Sequence, residues 1–227
     1  MAAVLGVVGL AFEARIAAGR DTRVICSGDG RTLPTALACA IPGDCRGLVS
    51  FGVAGGLAPQ LHAGTCVVGS VITSGTTRFM TDWNWSRNLL QVIPGAVYGA
   101  IVGVSSPIAQ RDAKRALHVS TGALAVDMES HVVASVAATR ALPMAAVRVI
   151  TDSAMRELPR ASLAAMRANG TIDMTALIRS MMKGTSELPM LLWTAFDAMV
   201  GLAALVRCRQ FIGPSFGLPD RACLSRT

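Results

Sequence analysis

The sequence predicts an α/β protein, with a largely parallel sheet covered on both faces. Two observations point there. Short, continuous apolar runs bounded by glycine or polar turns recur with helical segments between them, as expected for strands buried on both sides. Aromatic residues make up only 4% of the chain against 52% apolar residues, so the core is built from Ala, Val, Leu, Ile and Met. That composition suits close-packed helices and buried strands better than an aromatic-rich sandwich.

The elements follow in order. "AAVLGVVGL" (2–10) and "TRVICSG" (22–28) read as strands. "TLPTALACAI" (32–41) reads as a helix with Pro34 in its first turn. "GLVSFGVAGGL" (47–57) is a strand running into a glycine-rich loop, and "TCVVGSVI" (65–72) is another strand. A Trp-bearing stretch covers 82–92, and "YGAIVGVSSPI" (98–108) follows as a strand. Helices are expected at 109–119 and at 130–141, the second stopping before Pro143. "AAVRVITDSA" (145–154) is the last convincing strand. In such sheets ligands sit beyond the carboxyl ends of strands. Glu13, the pair Asp127 and Glu129, and Asp152 all stand where a strand ends.

At 227 residues the chain suits one large domain with a tail: a main domain over 1–183, an apolar helix over 184–211 and an irregular tail over 212–227. Low charge density and 22 glycines in an apolar chain argue against disorder. The net charge of +7 favours anionic partners, but the arginines are scattered and not interleaved with aromatics, which argues against nucleic acid. The six cysteines form no CxxC pair and no zinc-like spacing, consistent with free thiols in a reducing cytoplasm. "MAAVLGVVGLAFEAR" lacks a basic leader region and meets Glu13 early, so it reads as a buried strand and not a signal peptide. "ELPMLLWTAFDAMVGLAALVRCRQF" (187–211) approaches the roughly 20 residues of a bilayer crossing, but Pro189, Asp197 and Gly201 interrupt it. It admits three readings: a core or dimer-interface helix, a helix on a membrane surface, or a span.

Some motifs are decoys. "GPSFG" (213–217) matches a nucleophile elbow by letter, yet no strand precedes Ser215 and no histidine follows it. "GVAGG" (52–56) lacks dinucleotide-binding spacing, although its backbone N–H groups could approach a ligand. Asp127, Glu129 and His131 alternate, but three histidines in all and no second acidic cluster argue against a metal site.

Four spaced segments are more specific together: "FEARI" (12–16), "FGVAGGL" (51–57), "AVDMES" (125–130) and "VRVITDSA" (147–154), each at a strand end. In this order they resemble the purine nucleoside phosphorylase and methylthioadenosine/adenosylhomocysteine nucleosidase superfamily. "LAFEARIAAG" and "AKRALHVSTGALAVDMESHVVA" are most similar to its hopanoid-associated branch, which acts on adenosylhopane. The resemblance implies a three-layer α/β/α sandwich with a mixed, largely parallel central sheet. It also implies N-ribosyl cleavage of a 5′-substituted adenosine with release of adenine. The alternatives in the same superfamily are a methylthioadenosine nucleosidase and a phosphate-dependent phosphorylase. A catalytically idle nucleoside-binding protein at a membrane is the alternative outside catalysis. No cofactor is implied beyond phosphate as a co-substrate. The expected partner is a small-molecule or lipid-linked purine nucleoside. A homodimer in the cytoplasm is implied, with the membrane's inner face as a second location.

Residue by residue, the resemblance makes Asp152 the group that protonates the departing purine. Glu129 accepts the ribose 2′- and 3′-hydroxyls, and Met128 floors the sugar. Glu13 activates water, and Arg148 orients it or holds an anion. Gly55 lets the backbone approach the ligand, and Ile108 lines the purine pocket, with Phe79 and Trp83 as further walls. Two residues depart from the pattern: Val53 stands where a Ser or Thr is common, and Met155 where many members carry Asp.

Overall fold

A computed structural model describes residues 4–19, 22–26, 32–157 and 188–219. Eight strands and six helices are described: β1 (Val4–Val8), α1 (Ala11–Ala17), β2 (Arg23–Cys26), α2 (Leu33–Ala40), β3 (Gly47–Gly56), β4 (Cys66–Ser74) and β5 (Thr77–Met80). They continue with α3 (Trp83–Val92), β6 (Val97–Gly103), α4 (Arg111–Thr121), β7 (Ala125–Asp127), α5 (Ser130–Thr139), β8 (Met144–Asp152) and α6 (Leu188–Ile212). The short strand β5 was not expected. It folds back on β4 through a turn at Gly75, whose φ of 57° lies in the left-handed region that glycine adopts without strain.

The sheet is mixed, as the resemblance implied, and part of it closes on itself. β3 pairs with β8, β8 with β4, β4 with β6, β6 with β7, and β7 returns to β3. β1 and β2 extend from β3 in parallel. Within the ring β8 is parallel to β3 and antiparallel to β4, so this nine-residue strand is flanked on both sides and reads as a continuous apolar run.

Strand alternation divides the core into two faces. Val49, Phe51, Ala145, Val147 and Val149 pack toward α1, α3 and α6. Leu48, Ala54, Met144, Ala146 and Ile150 pack toward α2 and α5. Helices thus cover both faces of the sheet. Ser50 and Arg148 have the parity of the α2/α5 face, and this places two polar residues inside an otherwise apolar layer.

Residues 213–219, after α6, form turns and coil and pack on the core. Phe216 is fully buried, its ring 5.6 Å from that of Phe51, and its carbonyl accepts from the Trp85 indole at 2.8 Å. Gly6 leaves the room, because a Cβ there would stand 2.9 Å from the Phe216 ring. Ser215 beside it is exposed and follows a helix, so "GPSFG" is not a nucleophile elbow here. Of the described cysteines, which form no disulfide, Cys66 and Cys208 are buried and Cys26 and Cys39 are exposed.

Candidate active site

The site begins with Glu13. It lies in the first turn of α1, where unsatisfied backbone N–H groups attract a carboxylate. Its Oε2 accepts from the N–H groups of Gly9 and Leu10, both at 2.8 Å, and its Oε1 accepts from Val53 N at 2.7 Å. The side chain is 2% exposed. Burial pushes its pKa up, while the Arg148 charge and the three N–H bonds pull it back. Gly52 makes this approach possible: a Cβ there would lie 2.4 Å from Glu13 Oε1 and 2.6 Å from Arg148 Nη1.

Arg148, opposite Gly52 in the parallel ladder, is fully buried. A cation in a buried strand needs counter-charges and hydrogen bonds to offset its desolvation. Its Nη2 lies 2.5 Å from Asp127 Oδ2, 2.6 Å from Ser50 Oγ and 3.4 Å from Glu129 Oε2. Its Nε and Nη1 have no hydrogen-bond partner among the described residues. Asp127 is held in turn by the hydroxyl of Ser130 at 2.6 Å, at the start of α5.

Glu129 stands between β7 and α5, against the turn from β1 to α1. A Cβ on Gly9 would lie 2.4 Å from its Oε1. Burial raises its pKa to about 7; Arg148 opposes that rise, and the nearby charges of Asp127 and Glu13 add to it. One guanidinium therefore faces three carboxyl groups, and the site retains protons near neutrality.

Asp152 closes β8. A register shift between Ala54 and Gly55 sets it opposite Gly55, out of step with the pairing of Arg148 and Gly52. A Cβ on Gly55 would lie 3.2 Å from its Oδ2. Burial raises its pKa against the lowering effect of Lys114. Lys114, on α4, is fully buried, and its ammonium spends its three donors on Asp152 Oδ2 at 2.5 Å, Ser153 O at 3.1 Å and Arg156 O at 3.1 Å. A cavity of about 640 Å³ lies beside this loop, lined in part by Arg111, Met155, Arg156 and Trp193.

The structure thus brings Glu13, Arg148 and Asp152 to residues 52–55 of β3, with Glu129 joined to them through Arg148. Positions 53 and 55 are about 7 Å apart along a strand. Ile108 packs against the cluster of Leu57, Val102, Ala123 and Val126, the last of which borders Gly55. Met128 is half-buried between β7 and α5. Trp83 is exposed and stacks edge-on to Tyr98, and Phe79 packs against the core on the α2/α5 side. Among the described residues no three His, Cys, Asp or Glu side chains are placed to hold a metal. His131 is half-buried, with its pKa lowered by burial.

Three residues were not singled out beforehand: Asp127 as the arginine's partner, Ser50 and Lys114. Arg148 carried the signal for the first two, since an arginine inside an apolar strand must be paired. "RDAKRALHVS" gave none for Lys114, which reads as one more charge on a solvated helix.

The chain belongs to the phosphorylase superfamily, whose family model matches residues 17–183. Solved structures share the fold. A Helicobacter pylori MTAN variant with 5′-methylthioadenosine in its active site superposes with a TM-score of 0.63 at 12% identity, covering 92% of this chain and 99% of that one. Campylobacter jejuni 5′-methylthioadenosine/S-adenosyl homocysteine nucleosidase gives 0.61 at 14% identity over 91% and 100%. Helicobacter pylori futalosine hydrolase gives 0.59 at 17% identity over 81% and 98%. No curated protein sequence matches the chain.

Proposed function

We propose that the protein cleaves the N-glycosidic bond of a purine nucleoside, releasing adenine from a 5′-substituted adenosine. One observation carries the reading: Glu13, Arg148 and Asp152 meet residues 52–55 of β3 and Glu129 joins them through Arg148, the three acids coming from the start of α1, the junction of β7 and α5, and the end of β8. The solved structures named above, which are nucleosidases and a futalosine hydrolase by description, support it.

Leaving-group departure needs a proton, and Asp152, whose pKa burial raises against the pull of Lys114, supplies it to the purine. The ribose then carries positive charge, which Glu129 stabilises while accepting its two hydroxyls. Met128 packs on the sugar, and Ile108 borders the base. Glu13, fixed at both oxygens by backbone N–H groups, draws the proton from an attacking water. The finer reading is that the 5′ substituent is a hopane chain, as in adenosylhopane; the similarity of residues 10–19 and 113–134 to that branch and the apolar α6 support it.

A second reading is favoured by one observation: Arg148 Nε and Nη1 are buried donors without a partner among the described residues, and they suit a phosphate nucleophile. The two are separated by following free adenine from several 5′-substituted adenosines with and without inorganic phosphate. Release without phosphate is expected. Strict phosphate dependence would replace the hydrolase with a phosphorylase, and no release from any adenosine would remove the proposal.

A further inference from the structure

The outer face of α6 takes no part in the site above. Every exposed position from Leu192 to Val206 is apolar, including Trp193, Phe196, Met199 and Leu202. Phe211 extends the stripe at 50% exposure, giving a strip about 29 Å long. The inner face, with Ala204, Leu205 and Cys208, is buried in the core. A helix that is apolar all round is one whose outer face is also covered.

The charges indicate what covers it. Asp197, the helix's one acidic residue after Leu192, is withdrawn into an ion pair with Arg156 at 2.6 Å, so no carboxylate stands on the exposed stripe. Arg156 also caps the Trp193 ring, its guanidinium carbon 5.1 Å from the centroid. Arg207 is the exposed charge at the other end, and the whole chain carries +7. Beside Arg207 a cavity of about 310 Å³, lined by Ile93, Val200, Ala204 and Phe211 among others, lies open along the helix. Arg207 borders this cavity, so a positive charge stands where the apolar stripe ends, as an anionic headgroup above an acyl layer requires. Among the described residues no helix is long and apolar enough to cross a bilayer, so the helix lies along the surface.

We propose that α6 docks the protein on an anionic phospholipid bilayer, with its outer face in the acyl layer and Arg207 on a headgroup phosphate. The test uses the full-length protein and does not involve nucleoside cleavage, so its failure leaves the proposed activity standing. Co-sedimentation is measured with phosphatidylcholine vesicles and with vesicles also containing phosphatidylglycerol. The wild type is expected to partition at least about tenfold more strongly onto the anionic vesicles, and less at high salt. F196E/M199E is expected to lose at least about tenfold of that partitioning. Arg207→Glu, which leaves the apolar stripe intact, is expected to weaken it several-fold and serves as the second variant if the double substitution does not fold. Three results would overturn the proposal: no binding of the wild type to anionic vesicles, binding unaffected by these substitutions, or a dimer in sedimentation velocity that F196E/M199E dissociates while vesicles recover no protein.

Discussion

Lys114 shows how much one side chain can hold. Its ammonium fixes the carboxyl of Asp152 and two carbonyls of the following loop, with no hydrogen left unused. Because Lys114 lowers the pKa of Asp152, its removal lets Asp152 keep its proton to higher pH. Lys114→Met is therefore expected to move the alkaline limb of the kcat profile upward and to lower Tm, since it leaves buried acceptors unpaired. A pH–rate profile checks the first effect; an unmoved limb would separate Lys114 from the acid. Glu129 gives the opposite limb. In its proposed role as acceptor of the ribose hydroxyls it must be ionised, so kcat/KM is expected to rise with pH through about 7, and Glu129→Gln is expected to erase that limb.

At the scale of the element, β3 organises the site through what it lacks. Gly52 gives up a side chain so that Glu13 and Arg148 can approach the backbone, and Gly55 does the same beside Asp152. Gly52→Ala forces a Cβ to within 2.4 Å of a buried carboxylate oxygen, and a loss of about 1–3 kcal/mol in denaturant unfolding is expected. The strands and helices were legible because apolar runs and glycine punctuation mark them directly. "AVDMES" and "VRVITDSA" also announced a strand end bearing acids. Closure of the ring was not legible, since β8 meets β4 through long-range pairing that no local pattern encodes. Nor was the burial of Phe216, which depends on the space left by Gly6 on a strand far away in sequence. The hairpin at Gly75 was missed because "TSGTTRFM" has the apolar alternation of only half a strand.

For the molecule as a whole, the cluster of buried acids links stability to pH. Glu129 titrates at about 7 in the fold, above its ordinary value of 4.5. Its contribution is fully present below the unfolded pKa and is lost as pH rises through the folded one. Glu13 and Asp152, also raised, act in the same direction. Tm is expected to fall between pH 5 and pH 8 by more in the wild type than in Glu129→Gln, and differential scanning calorimetry of the pair checks it. Equal slopes would mean that Glu129 is not held protonated by the fold.

The pocket is a joint product of segments more than a hundred residues apart, and its chemistry is read most directly as free base in solution. Purified wild-type protein incubated with 5′-substituted adenosines is expected to liberate adenine. Glu13→Gln and Asp152→Asn, each folded by circular dichroism, are expected to be slower by about 10²–10⁴. Adenine appearing at the wild-type rate from Asp152→Asn, or from none of the proteins at all, would contradict the assignment of these carboxyl groups to glycosidic bond cleavage.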